Sequence, residues 1–155
     1  MTRKSLSLIA AGGSLALLAG AFLFQTLGYL PCKMCLWQRW PHVVAIGMGV
    51  LMLIVPNRAW PWIGAAAAAV TSGLGLYHTG VERGWWEGPT SCTSTGTSLS
   101  DLGGSDLLSM DGPGIVLCDQ VSWAFAGLSM ASWNAIFSLI LAIIWVRAAT
   151  AKAAR

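Results

Sequence analysis

Charge is what this chain has least of. Only 10% of its 155 residues are Asp, Glu, Lys or Arg, against 55% hydrophobic, and the mean hydropathy is +0.66. A soluble domain carries about 25% charged residues, so the composition excludes one and leaves a membrane protein. The nine basic residues are scattered among apolar runs without forming a stripe, which argues against nucleic acid as a partner. Acidic residues are missing from every apolar run: all six, Glu82, Glu87, Asp101, Asp106, Asp111 and Asp119, fall between Gly80 and Asp119. The runs hold no cysteine either, so a heavy-metal transporter lacks the soft or acidic ligands it needs to relay an ion inward. No internal repeat is visible, and the only low-complexity tract is the block from Ala65 to Ala69.

What the chain does have is four long apolar runs. After Arg3 and Lys4 the first extends from Ser5 to Leu30, 26 residues with Gln25 as the one strongly polar side chain. At about 1.5 Å per residue it crosses roughly 30 Å of hydrocarbon with some tilt. A cleaved signal peptide competes for this stretch through Leu18-Ala19-Gly20-Ala21, but the apolar run continues well past that site. The second run, about Leu36 to Val55, stops at Pro56-Asn57-Arg58 and carries Pro41 early, where a helix tolerates proline best. The third, about Trp60 to Thr79, holds the alanine block with Gly73 and Gly75, small residues that permit close helix packing in lipid. The fourth runs from about Val121 to Val146. Between the third and fourth lies a long wet loop, in which Leu107 to Met110 and Ile115 to Leu117 have the apolar side chains to lie along a membrane surface.

The expected fold is therefore an all-α membrane protein, one domain over 1–155. It is a four-transmembrane-helix bundle with spans at about 5–30, 36–55, 60–79 and 121–146, and outer loops at about 31–35 and 80–120. Arg3, Lys4, Arg58, Arg147, Lys152 and Arg155 fall on one side of the bilayer, and Lys33, Arg39 and Arg83 on the other. That split of six to three puts both termini in the cytoplasm. Both cysteine loops then face the opposite compartment, in a bacterial inner membrane the oxidising periplasm.

Pro31-Cys32-Lys33-Met34-Cys35-Leu36-Trp37-Gln38-Arg39 joins the first two runs. If a helix starts near Cys35, then Cys35, Arg39 and His42 share one face at i, i+4 and i+7. The helix N-terminus and the Arg39 cation both favour a thiolate there, suited to redox exchange. Arg39 also reads as an interface anchor whose head reaches the headgroups. Trp37, Trp40, Trp60, Trp62, Trp85, Trp86 and Trp145 fall near expected helix ends, where indoles settle at the headgroup level; Trp37, beside the cysteines, is also placed to wall a cofactor pocket. Cys32 and Cys35 lie in one outer loop and Cys92 and Cys118 in the other. Four cysteines allow three connectivities, and a lone C-x-x-C reads as a redox pair, half a metal site or a plain disulfide. Two pairs on one side of a membrane, one at a helix start and one in a loop, can pass a disulfide between them by thiolate attack.

These residues resemble the disulfide bond formation protein B family (DsbB-like) over essentially the whole chain. The likeness lies in Cys32-x-x-Cys35-x-x-Gln38-Arg39, the four-helix layout, Cys92 with Cys118, and Tyr77-His78 through Gly84-Trp85-Trp86-Glu87-Gly88-Pro89. It implies an enzyme that reoxidises a periplasmic thioredoxin-like oxidase (DsbA-like) with a membrane quinone, ubiquinone or menaquinone, and no metal. By the same resemblance the partner's thiolate attacks Cys92, Cys118 is its disulfide mate, and Cys32 with Cys35 hands electrons to the quinone. Cys35 would face the quinone, beside Arg39, with His78 near it. Two rivals remain: a structural bundle whose loop is stapled by a disulfide, with Cys32 and Cys35 inert, and a quinone enzyme of the vitamin-K-epoxide-reductase type, which also pairs cysteines in four helices.

Overall fold

The computed structural model describes residues 1–89 and 117–151. Cys92, most of the surface-lying stretch expected after Leu107, Lys152 and Arg155 lie outside them. Four long helices follow the four apolar runs: α1 (Arg3–Thr26), α2 (Lys33–Ile54), α3 (Ala59–Glu82) and α4 (Met130–Thr150). Before α4 comes a small antiparallel ribbon, β1 (Ala124–Phe125) and β2 (Leu128–Ser129).

Local chemistry sets the helix ends. Thr2 caps α1 by accepting the Ser5 N–H, and Gly28, at φ +98°, ends it with the N–H groups of Gly28 and Tyr29 returned to the Gln25 and Phe24 carbonyls. Cys32 is the N-cap of α2, its sulfur accepting the Cys35 N–H at 3.3 Å. The helix therefore starts at Lys33, two residues ahead of the expected start near Cys35. Its register still sets Cys35, Arg39 and His42 on one face.

The last helix begins at Met130 and not near Val121. Hydropathy alone reads 121–129 as part of the span, but Ala126 (φ 52°) and Gly127 (φ 76°) form a two-residue reverse turn between β1 and β2. Positive φ at both central residues belongs to the type I′ hairpin turn. Ser129 then caps α4 by accepting the Ser132 N–H.

Burial runs inside out relative to a soluble protein. Leu15, Ile54, Val70 and Leu139 are exposed on the bundle's outer face, while Ser7, Ser14 and Ser138 are fully buried. Among the described residues, α1 and α4 are long and apolar enough to cross a membrane. Small residues let the helices close up. A Cβ on Gly75 would meet the Ala131 carbonyl and the Ala135 nitrogen, both at 3.0 Å, whereas Gly73 faces open space.

Trp145 departs from its expected place at the headgroup level. It is fully buried in a cluster with Ala10, Ala11, Ala65, Ala68, Leu141 and Ala142. The alanine block on α3 cuts a groove for the indole, and a Cβ on Gly64 would lie 2.6 Å from its ring. Packing with small residues decides helix contact in a bilayer, and here it outweighs the indole's preference for the interface.

Candidate functional site

The turn between α1 and α2 delivers Cys32 and Cys35 to the end of the bundle where α3 finishes. Cys32 is buried and Cys35 partly so, and the Cys32 thiol donates to Cys35 Sγ at 3.0 Å. Donation to Cys35 and then burial push the Cys32 thiol up to about 12, only partly opposed by His78. Cys32 thus keeps the proton, and Cys35 is the sulfur that accepts.

Cys118 is fully buried and packs with Cys32, Met34 and Val81, with Cys35 against the same cluster. Three of the four cysteines therefore converge from two loops far apart in sequence. His78, on the last turns of α3, brings Nε2 to 3.5 Å from Cys32 Sγ and 3.9 Å from Glu82 Oε1. Glu82 also accepts a hydrogen bond from the Ser129 hydroxyl, which ties the site to the start of α4. The donor atoms of Cys32, Cys35 and His78 lie within 4.8 Å of one another, a spacing that a soft cation can also bridge when the pair is reduced.

Arg39 and His42 continue the Cys35 face along α2. Arg39 Nη1 donates to Gln25 Oε1 at 2.8 Å, Nη2 to the Ala21 carbonyl at 3.4 Å, and the guanidinium lies 4.8 Å over the Phe22 ring. Its Nε is buried without a partner among the described residues. A cavity of about 420 Å³ opens beside these groups, within the roughly 300–1,000 Å³ usual for ligand sites. Cys32, Cys35, Arg39, His42 and Glu82 lie on its wall, and Leu17, Phe24, Trp123 and Phe137 make it mostly apolar.

The structure thus gathers Cys32, Cys35, Arg39, His78 and Cys118. Cys92 lies outside the described residues. Trp37 points elsewhere: it is 40% exposed and does not border the cavity, whose indoles are Trp123 and Trp133. Glu82, Thr71 and Asn134 carry polar contacts at the site that sequence reasoning did not single out, and Gln38 entered only as part of the C-x-x-C motif. For Gln38, Thr71 and Asn134 the available signal was a polar side chain inside an apolar run, which in a membrane is functional by default; Glu82 lies past the end of the third run.

Comparison with known proteins bears on the same residues. The family model described as disulfide bond formation protein DsbB matches residues 3–148. The chain is 33% identical over 132 residues to the disulfide bond formation protein B of Aromatoleum aromaticum, covering 80% of this chain and 78% of that one. The protein of the same description from Dechloromonas aromatica is 29% identical over 138 residues, covering 84% and 82%. That from Polaromonas sp. is 24% identical over 148 residues, covering 93% and 88%. No solved structure matches the chain.

Proposed function

The chain belongs to the DsbB family of disulfide bond formation proteins, and from that premise we propose that it reoxidises a periplasmic thioredoxin-like oxidase, DsbA-like in kind, and passes the electrons to a membrane quinone. Membership makes it a membrane thiol–disulfide oxidoreductase; the partner, the acceptor and the residue roles are the proposal. The observation that carries it is the packing of Cys118 against Cys32 and Cys35, the latter two on the wall of a cavity that also holds Arg39. A soluble dithiol and a lipid-soluble acceptor share no solvent. A relay between them needs one cysteine pair that meets the protein partner and another that meets the lipid phase.

The partner's thiolate attacks Cys92, and the electron pair of the broken Cys92–Cys118 bond stays on Cys118. The partner's second thiol then attacks its own bridged sulfur, which leaves the partner oxidised and Cys92 with Cys118 reduced. Thiolate exchange with the Cys32–Cys35 disulfide carries the two electrons inward. Both sulfurs border the cavity, and because Cys32 retains its proton at neutral pH, Cys35 is the reactive one. A quinone bound there supplies an acceptor of two electrons and two protons. The apolar walls fit its ring, and the buried, unpartnered Arg39 Nε fits a carbonyl oxygen that gains negative charge. Ubiquinone and menaquinone both satisfy these contacts.

The proposal includes four spanning helices in a bacterial inner membrane, cytoplasmic termini and periplasmic cysteines. The six-to-three split of basic residues and the inside-out burial of the bundle support it. A reporter active only in the periplasm should work when fused near Ser98 and be silent after Arg155; the reverse pattern refutes the topology. For the relay, Cys118→Ala should hold the partner as a mixed disulfide on Cys92, because the resolving thiol is gone, and Cys92→Ala should hold none. Equal trapping by both variants refutes the order of attack.

A further inference from the structure

Cys32, the N-cap of α2, and Cys35 in its first turn have the C-x-x-C spacing that forms one half of many zinc sites. A third donor comes from α3. His78 Nε2 lies 3.5 Å from Cys32 Sγ, the two sulfurs are 3.0 Å apart, and the three atoms all fall within 4.8 Å of one another. With Zn–S bonds of about 2.3 Å and Zn–N bonds of about 2.0–2.1 Å, a tetrahedral ion sets sulfur about 3.6 Å from nitrogen and the two sulfurs about 3.8 Å apart. The first separation is met, and a small rotation of the partly buried Cys35 side chain supplies the second. Glu82 Oε1, 3.9 Å from His78 Nε2, is placed for the fourth position, while the other carboxylate oxygen is held by the Ser129 hydroxyl. On the far side of the ring, His78 Nδ1 meets the Gln38 amide at 2.9 Å, the kind of partner that orients a metal-bound imidazole.

We propose that the reduced protein captures a thiophilic divalent cation, Zn2+ foremost, on Cys32, Cys35 and His78, and that the bound ion stalls the enzyme until a chelator withdraws it. Soft thiolate donors select such ions. The cation takes the place of both thiol protons, which leave to water, because a coordinating thiol is deprotonated outright. Two thiolates then cancel its charge, and a neutral complex suits a site this far from solvent. No electron moves in the capture, so it is reversible. The Cys32–Cys35 disulfide offers no thiolate, and the ion therefore meets only protein that has taken electrons and not yet passed them on. While the metal holds Cys35, that sulfur has no free thiolate to give an acceptor.

The site itself needs only that Cys32 and Cys35 be reduced, so its binding test uses neither quinone nor partner, and only the stall rests on the function proposed above. The full chain with Cys92→Ser and Cys118→Ser, which removes the other two thiols, is purified in detergent, reduced with a phosphine, freed of it without air and titrated with Cd2+, whose bonds to thiolate absorb in the ultraviolet. Reduced protein should bind one Cd2+ with the absorbance of two thiolates, and Zn2+ should displace it. The same protein with Cys32 and Cys35 oxidised should bind none. A partner that merely orients a metal ligand is worth roughly 10–100-fold in affinity, so His78→Gln, which removes a ligand, should weaken binding at least about tenfold. If His78→Gln does not fold, 15N-labelled histidine reports instead: Cd2+ should shift the Nε2 signal of one of the two histidines and leave the other. In turnover with partner and quinone, Zn2+ should stop the wild-type protein with Cys32 and Cys35 reduced, and a chelator should restart it. Equal binding by oxidised protein, affinity unchanged in His78→Gln, or unshifted histidine signals overturn the site, and turnover indifferent to Zn2+ overturns the stall. A wild type that reduces no quinone even without Zn2+ contradicts the function proposed above, and with it the stall, while the Cd2+ titration still decides the site.

Discussion

Arg39→Ala probes the only Lys or Arg on the cavity wall among the described residues. In the fold the guanidinium ties α1 to α2 through Gln25 and Ala21 and lies over Phe22. Exposed contacts of this kind are worth about 0.5–1.5 kcal/mol for a hydrogen bond and about 0.5–1 kcal/mol for the ring contact, so the bundle should survive their loss. The acceptor loses more. A hydrogen bond to a group that becomes charged is worth about 1.5–3 kcal/mol, so quinone reduction should fall by roughly one to two orders of magnitude with a higher apparent KM for quinone. Exchange between the partner and the Cys92 and Cys118 pair should stay near wild type. Arg39→Lys should recover only part, because a point charge does not replace the planar fork. Gln25→Ala, which cuts the tether and leaves the cation, should lose little. Steady-state quinone reduction with single-turnover thiol exchange in parallel decides the matter. Unaltered quinone kinetics in Arg39→Ala, or the whole loss reproduced by Gln25→Ala, would make Arg39 a clamp between helices and nothing more.

Two further outcomes follow from the same geometry. Because the Cys32 thiol is pushed up to about 12, it stays protonated at neutral pH; iodoacetamide should label Cys35 well ahead of Cys32 there, with Cys32 gaining only as pH climbs towards that value, and mass spectrometry showing Cys32 labelled first would refute the assignment. Trp145→Ala should cost about 3–5 kcal/mol by opening a cavity between α1, α3 and α4, whereas Trp145→Phe, which also removes a buried N–H without a partner among the described residues, should cost far less; a melt of Trp145→Ala in detergent like that of wild type would refute the core placement.

The helices and the α2 face were legible because both depend on local pattern. Long apolar runs locate the four helices, and 3.6-residue periodicity aligns Cys35, Arg39 and His42 whether the helix starts at Lys33 or two residues later. What escaped depends on features that hydropathy and periodicity do not register. The start of α4 was lost because hydropathy does not register the turn at Ala126 and Gly127. Trp145 was misplaced because its groove is cut by Gly64 and the alanines of another helix. The approach of Cys118 to Cys32 and the Gln38, Thr71 and Asn134 chain span three elements, and no spacing within one segment announces them.

The central claim is that two cysteine pairs join a soluble dithiol to a membrane quinone. Its most direct test is to add reduced thioredoxin-like partner to the purified protein reconstituted with ubiquinone or menaquinone, in the presence of a metal chelator, and to follow quinone absorbance and partner thiols together. The account predicts one quinone reduced for each partner dithiol oxidised, with no turnover in Cys35→Ala or Cys92→Ala. Partner oxidation without quinone loss, or turnover that stops on chelation, would contradict it.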